Sequence, residues 1–308
     1  MEEILIGIDG GGTKTEYCVY ELSTDKKHFF KLETTNYKNI GEEQTQQNFK
    51  KAFKEIFTQM NITKDDIRGI AYGASGYDTK ADEVFYKSLF LNMGIPLTKV
   101  FICNDSDMVL LSTGLKPGIC TAAGTGSIAV ALDKNNNRYR AGGWGSLISD
   151  KGSGYWIGQK VLSDLLLHID GIKNQEPVYS KIVAFLDPSD TKNIPGMISL
   201  MTTEEIASVA KIVIDFAPED EYSKSIITNA AEHLVDLGIS LLKKADIYQE
   251  RDVTMLLTGS IFKSSLLKEI YISQFKARSQ QNVIFVSSGE RPSFSGAMLA
   301  KNMFAKIN

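Results

Sequence analysis

The apolar run Ile4 to Ile8 stops at Asp9-Gly10-Gly11-Gly12, and a second run, Tyr17 to Leu22, follows. Consecutive glycines lose more backbone freedom on folding than any other residues, so they do not extend a strand; they turn it. Two strand-like runs flanking such a turn make a hairpin. The plan recurs further on: Ile119 to Ala123, then Gly124-Thr125-Gly126-Ser127, then Ile128 to Leu132. Of the 25 glycines, four fall at positions 7–12 and ten at positions 114–158, so more than half sit in two short stretches. The spacing reads as an internal repeat, with a second domain opening near residue 115.

The segments between these hairpins alternate in type. His28 to Glu33 reads as a third strand. Phe49, Phe53, Ile56, Phe57 and Met60 recur at helical spacing after the polar stretch Glu42 to Asn48. Arg68 to Tyr72 and Val100 to Cys103 read as buried strands, with Val84 to Leu91 helical between them. Beyond the second hairpin, a Gly- and Ser-bearing loop at 142–158 leads into a helix marked by Ile157, Val161, Leu162, Leu165, Leu166 and Ile169. Residues 170–200 read as a loop-rich excursion. Glu204–Phe216 and Ser223–Ala245 read as helices, Val253 to Leu257 and Val283 to Val286 as strands, and Ser295 to Phe304 as a last helix. Strands and helices in this mixture make an α/β fold, and 308 residues suit two domains.

Composition removes several function classes. With 34 basic and 37 acidic residues, the net charge of −3 offers no basic stripe for nucleic acid. No apolar run reaches membrane-spanning length, and Met1-Glu2-Glu3 does not open a signal peptide. Three scattered cysteines, Cys18, Cys103 and Cys120, suit neither disulfides nor a four-ligand zinc site. The expectation is a cytoplasmic protein that binds neither membrane nor nucleic acid.

A turn of glycines lets backbone N–H groups converge where no Cβ blocks a ligand, which suits a phosphate. The hydroxyls of Thr13, Thr15, Thr125 and Ser127 are candidate extra donors. A third glycine turn, Thr258-Gly259-Ser260, closes the strand at Leu257. Rival motifs fail on spacing. Thr13 interrupts a P-loop between Gly12 and Lys14; the dinucleotide fingerprint lacks its third glycine; and Gly73-Ala74-Ser75-Gly76-Tyr77 misses a nucleophile elbow by one residue. His28, His168 and His233 have no evident triad partner. Carboxylates stand at strand ends: Asp9, suited to Mg²⁺ through water, and Asp105, suited to accept the proton of an attacking hydroxyl, with Asp107 as its competitor.

These residues carry a family likeness. Ile6-Gly-Ile-Asp-Gly-Gly-Gly-Thr-Lys-Thr15 resembles the first phosphate motif of the sugar kinase and actin superfamily. Cys103-Asn-Asp-Ser-Asp107, Ala123-Gly-Thr-Gly-Ser127, Gly142-Gly-Trp-Gly-Ser146 and Ser149-Asp-Lys-Gly-Ser-Gly-Tyr-Trp-Ile-Gly158 narrow the resemblance to the BadF/BadG/BcrA/BcrD-type ATPase family, and within it to the N-acetylglucosamine kinases. Leu257-Thr-Gly-Ser-Ile261 and Ser295-Gly-Ala-Met-Leu-Ala300 resemble the adenosine motif and the closing helix.

The resemblance implies two ribonuclease-H-like (actin-like ATPase) domains around a nucleotide cleft. The lobes would span 1–115 and 116–291, with a C-terminal helix at 292–308 packed back on the first. Asp9, Gly10, Gly11, Gly12, Thr13 and Lys14 would bind ATP phosphates, with Asp9 holding Mg²⁺ through water. Gly124, Thr125, Gly126 and Ser127 would form the second phosphate loop, and Gly259 and Ser260 would lie by the adenosine. Asp105 would be the catalytic base. Asn36, Ser75, Asp105, Thr125, Gly143, Trp144 and Asp150 would contact the sugar. The implied reaction is phosphorylation of an amino sugar by a cytoplasmic homodimer, with N-acetylglucosamine the first candidate and glucosamine or N-acetylmuramic acid the alternatives.

Lys151 departs from the family pattern, which has an acidic residue there, and would admit an anionic substituent. A dehydratase-activating ATPase would need cluster-ligating thiolates, which the scattered cysteines do not provide. A non-catalytic sugar sensor would lack the base at 105.

Overall fold

The computed structural model describes residues 3–113, 118–135, 137–186, 193–247, 252–279, 281–287 and 291–305. The expected boundary at 115–116 and residues 306–308 of the expected last helix lie outside them. The chain divides into two compact units, Met1–Leu115 with Ser288–Asn308, and Lys116–Ser287.

In the first unit, β1 (Ile4–Gly10) runs antiparallel to β2 (Lys14–Glu21), which pairs with β3 (Lys27–Glu33); on its other side β1 runs parallel to β4 (Ile67–Ala74), and β4 to β5 (Val100–Cys103). The sheet order is β3-β2-β1-β4-β5. Five helices accompany it: α1 (Tyr37–Ile40), α2 (Glu42–Met60), α3 (Lys80–Leu91), α4 (Asp105–Ser112) and α11 (Pro292–Phe304). Ile4, Ile6 and Ile8 of β1 join α2 and α3 in one core, while Leu5 joins α4 and α11 in a second on the opposite face. A central strand covered on both faces has no polar side to show, which is why β1 reads as a nearly continuous apolar run.

Gly7 marks how tightly the second face is covered. A Cβ on it would stand 1.9 Å from the Ser293 carbonyl oxygen and 2.2 Å from the Ala297 nitrogen, so α11 lies directly on the strand backbone.

The second unit repeats this arrangement. β6 (Gly118–Ala123) is antiparallel to β7 (Ser127–Leu132), which pairs with β8 (Arg138–Gly142); β6 is parallel to β9 (Asp252–Thr258), and β9 to β10 (Asn282–Ser287). The order β10-β9-β6-β7-β8, read from its other end, is that of the first sheet. Helices α5 (Gly154–Ile169), α6 (Pro177–Leu186), α7 (Ile194–Ser199), α8 (Thr203–Phe216), α9 (Glu221–Lys244) and α10 (Ser265–Ser279) complete one large core. Two mixed five-stranded sheets with flanking helices are the α/β, actin-like ATPase fold expected.

Several local expectations are corrected. The helix placed after Glu42 to Asn48 starts at Glu42, because Glu42 and Glu43 favour the positive end of the helix dipole and the Thr45 hydroxyl bonds the Gly41 carbonyl at 2.8 Å. Residues 170–200 hold α6 and α7: Pro177 opens the first, and Val178, Tyr179 and Ile182 bury it. Asp105 does not end a strand but is the first residue of α4, whose cap is Asn104, its Oδ1 accepting the Ser106 N–H at 3.1 Å.

Candidate active site

In the first unit the glycine turn is tied down by its carbonyls. Gly10 accepts from the Ser75 N–H at 2.9 Å, Gly11 from the Thr34 hydroxyl at 2.8 Å, and Gly12 from Asn39 Nδ2 at 2.9 Å. Residue 10 must be glycine, since a Cβ there would lie 2.6 Å from Cε2 of Tyr72. Tyr72 is itself fixed by a buried hydroxyl chain: its Oη stands 2.6 Å from Thr35 Oγ1, which stands 2.8 Å from Thr15 Oγ1. Thr15 thus supports the turn from beneath and is no phosphate donor. Thr13 is exposed, and Lys14 makes an exposed ion pair with Glu33 at 3.2 Å.

Three carboxylates gather around the glycine turn. Asp9 pairs across the ladder with Glu16, and its carboxyl is pushed up to about 7, first by burial and then by the charges of Asp105 and Glu16. Glu16 is held by the Ser293 hydroxyl at 2.7 Å and Arg291 at 3.3 Å. Asp105 reaches this group because Gly73 lets α4 lie against β4: a Cβ on Gly73 would be 3.0 Å from the Asp105 Cα. Burial raises the Asp105 carboxyl, the Asp107 and Asp78 charges add to it, and the Ser106 N–H opposes it at 2.8 Å. Asp107, at 7% exposure, is closed off from a substrate, whereas Asp105 is half-buried.

Asn36 and Ser75 lie on adjacent turns of the same unit. Asn36 caps α1, accepting the Lys38 N–H at 3.0 Å, and donates its own N–H to the Thr34 hydroxyl that also holds Gly11. Ser75 follows β4 and is bonded to Gly10.

In the second unit the Gly124–Ser127 turn sits at the start of α5. The Gly154 N–H donates to the Gly124 carbonyl at 2.7 Å and the Tyr155 N–H to the Thr125 carbonyl at 3.1 Å. Gly259 (φ +99°) approaches so closely that a Cβ would be 2.2 Å from the Ala123 carbonyl, and Ser260 follows beside Gly124. Asp150 joins them, its Oδ2 2.5 Å from where a Cβ on Gly126 would stand. Its backbone is left-handed (φ +35°), its Oδ1 is buried without a hydrogen-bond partner, and burial raises its carboxyl. The Ser127 hydroxyl is no spare donor, because it bonds the Lys151 carbonyl at 2.9 Å. Gly143 donates its N–H to the Ser127 carbonyl at 3.0 Å, but the next residue turns outward. Trp144 is 67% exposed with the Arg140 guanidinium 3.7 Å from its ring centre, and is not a packed core aromatic. The Lys151 side chain is exposed as well.

The family model described as the BadF/BadG/BcrA/BcrD ATPase family matches residues 6–294. The chain belongs to this family. Full-length likeness accompanies it. An N-acetyl-D-glucosamine kinase of Dictyostelium discoideum is 28% identical over 98% of this chain and 98% of its own. An N-acetylmuramic acid/N-acetylglucosamine kinase of Clostridium acetobutylicum is 25% identical over 97% and 98%. Among solved structures, a Chromobacterium violaceum protein assigned as an N-acetylglucosamine kinase superposes with a TM-score of 0.78 at 21% identity, covering 97% of this chain and 99% of that one.

Membership of an ATPase family means ATP use, and the glycine turns suit it. No group of three or more His, Cys, Asp or Glu side chains that could hold a metal occurs among the described residues. The crowded negative charge around Asp9 fits a Mg²⁺ held chiefly by water and phosphate, the usual habit of that ion. Sequence reasoning missed Tyr72, Thr35 and Glu16 of this ATPase, whose roles come from partners distant in the chain. Gly73 was visible as a strand-end glycine, but only the packed α4 shows what it makes room for.

Proposed function

We propose that the protein is an ATP-dependent amino-sugar kinase that transfers the γ-phosphoryl group to the 6-hydroxyl of N-acetylglucosamine, with Asp105 as general base. The observation that carries this reading is the state of Asp105: largely buried yet still partly accessible at the first turn of α4, with a carboxyl raised by burial and by neighbouring carboxylates. A base needs basicity near the working pH and reach to a hydroxyl, and Asp107 lacks the second. The amino-sugar kinases similar over their full length support the substrate class.

The roles follow from the positions. N–H groups of Gly10, Gly11, Gly12 and Thr13, with Lys14, are assigned to phosphate oxygens, as are those of Thr125, Gly126 and Ser127; Gly124, whose N–H donates to the Gly126 carbonyl at 2.9 Å, shapes that second loop. Gly259 and Ser260 are assigned to the adenosine. Asn36, Ser75, Gly143, Trp144 and Asp150 orient the sugar. Asp105 Oδ1 already accepts from the Ser106 N–H, so Oδ2 is assigned to the 6-hydroxyl. As that oxygen forms its bond to phosphorus, its proton passes to Asp105 and ADP leaves. A Mg²⁺ ion bound through water at Asp9 would neutralise charge on the phosphates. The resemblance also implies a cytoplasmic homodimer; sedimentation of the purified chain measures the oligomeric state.

ADP release across N-acetylglucosamine, N-acetylmuramic acid, glucosamine, N-acetylmannosamine and glucose tests the proposal. N-Acetylglucosamine is expected to be fastest, and equal rates for all five would overturn the kinase reading. N-Acetylmuramic acid in first place would instead favour the second reading, for which the exposed Lys151 next to Asp150 speaks.

A further inference from the structure

Asp82 lies in α3, outside every motif named above, yet it is 1% exposed and collects more donors than any other carboxylate described. From one side it accepts the N–H groups of Asp78 and Thr79 at 2.8 and 2.7 Å and the Thr79 hydroxyl at 2.9 Å. From the other it accepts the Tyr37 hydroxyl and, at 3.3 Å, Lys38 Nζ. The first set belongs to the segment that continues from Ser75 and Gly76; the second belongs to α1, which Asn36 caps. Burial works to raise its carboxyl, but these hydrogen bonds together outweigh it and hold the group well below the usual carboxylate range, so it is ionised at any working pH.

Two further contacts fasten the same pair of turns. Gly76 (φ +85°) leaves room where a Cβ would lie 3.2 Å from Lys38 Cδ and 3.6 Å from Asn36 Oδ1. The Tyr37 ring packs on Phe85 and Tyr86 of α3, at 4.4 and 5.7 Å between centres. Asn36 and Ser75 thus come from turns 39 residues apart in sequence, and one buried charge joins them.

We propose that Asp82 is a positioning residue for the sugar: it clasps the two turns so that Asn36 and Ser75 present their polar groups to one ligand. The inference rests on the amino-sugar reading of those residues. A capping role alone would be local to α3, as the Thr63–Asp66 box is local to its own short helix. A clasp also governs where Asn36 stands, although Asp82 touches no substrate.

The test separates these roles. Asp82→Asn keeps the shape but turns an NH₂ group toward some of the donors, and it should raise the KM for N-acetylglucosamine about tenfold or more, with the KM for ATP within about twofold. Tyr37→Phe keeps the ring packing, removes one donor and should give a smaller rise of the same kind. It also serves as the probe if Asp82→Asn does not fold. Asp66→Asn is the control, since it removes a comparable capping carboxylate far from the site and should lower Tm alone. Unchanged sugar KM in Asp82→Asn and Tyr37→Phe, or equal rises for sugar and ATP, would overturn the clasp while leaving the kinase reading intact. Wild-type protein without amino-sugar-dependent ADP release would overturn the kinase reading, and the clasp with it.

Discussion

Replacing Asp9 by Asn should make the protein more stable at alkaline pH while removing its activity. Asp9 has an ordinary carboxyl value of 3.8 unfolded and about 7 folded, because it is buried and faces the charges of Asp105 and Glu16. The folded state therefore binds the proton more tightly than the unfolded one. Stability is greatest below 3.8, declines as pH rises between the two values, and levels off above about 7. A difference of that size corresponds to about 4 kcal/mol if fully expressed. The side chain keeps partial access to water, and screening reduces the realised effect to about 1–2 kcal/mol. Urea unfolding of wild type and Asp9→Asn at pH 5, 6, 7 and 8 isolates Asp9 and the carboxylates coupled to it, because titrations elsewhere are common to both proteins. The stability difference should move in favour of the variant by about 1–2 kcal/mol from pH 5 to pH 8. Mg²⁺ with ADP should stabilise wild type more than the variant, since a cation relieves the repulsion only where the carboxylate exists. A difference that stays flat across the pH range would refute the like-charge account of this site.

Two other substitutions probe neighbouring claims. Asp105→Asn should lower kcat by about 10² or more with little change in either KM, and Asp107→Asn should not, as single-turnover and steady-state rates will show. Because burial also raises the Asp105 carboxyl, Asp105→Asn should be no less stable than wild type at pH 8 in the same urea experiment. Gly7→Ala should lose about 3 kcal/mol of stability, the upper range for overpacking, because its methyl would meet backbone atoms of α11 at 1.9 and 2.2 Å. Unfolding within about 1 kcal/mol of wild type would mean that α11 does not rest on β1 as described.

What could be read from the residues alone was whatever lies close in sequence. The glycine hairpins, their flanking strands and the repeat are local patterns, and so is the apolar periodicity of α5, α8 and α9. The misses have specific causes. β8 is Arg-Tyr-Arg-Ala-Gly at a sheet edge, where the exposed Arg138 and the half-buried Arg140 break the apolar signal. α4 opens on Asp-Ser-Asp, which looks like a turn until Asn104 is recognised as its cap. α10 places Leu267, Tyr271 and Phe275 at a four-residue spacing, but charged residues dilute the stripe. In the candidate site, Asp9 and Asp105 were visible as carboxylates beside apolar runs, although Asp105 opens α4 rather than ending a strand. Asp82 was not, because Thr79 and Asp82 spell a capping box and its other partners lie 44 and 45 residues away. Pattern reading sees the cap; only the packed fold shows the clasp.

The repeated sheets also explain why one supersecondary plan can serve two kinds of contact. Both units place a glycine turn between the first two strands of the same strand order, so the backbone opportunity is duplicated. The side chains around the two turns have diverged. The first turn follows Asp9 and sits among Glu16 and Asp105, an acidic environment that disfavours bare phosphate and calls for a cation to accompany it. The second follows Ala123 and has one carboxylate, Asp150, beside Gly126, and its carbonyls are bound by the first N–H groups of α5. Those bonds occupy the anion-attracting end of that helix with loop carbonyls, so in the proposed kinase phosphate recognition there would fall to the N–H groups of Thr125, Gly126 and Ser127. In the proposed kinase the first turn, ringed by Asp9, Glu16 and Asp105, would serve metal-dependent chemistry, and the second, with Asp150 alone beside Gly126, would serve nucleotide affinity. Asp9→Asn should therefore weaken the Mg²⁺ dependence of ADP binding. Gly126→Ala, whose methyl would meet Asp150 Oδ2 at 2.5 Å, should act first on the KM for ATP.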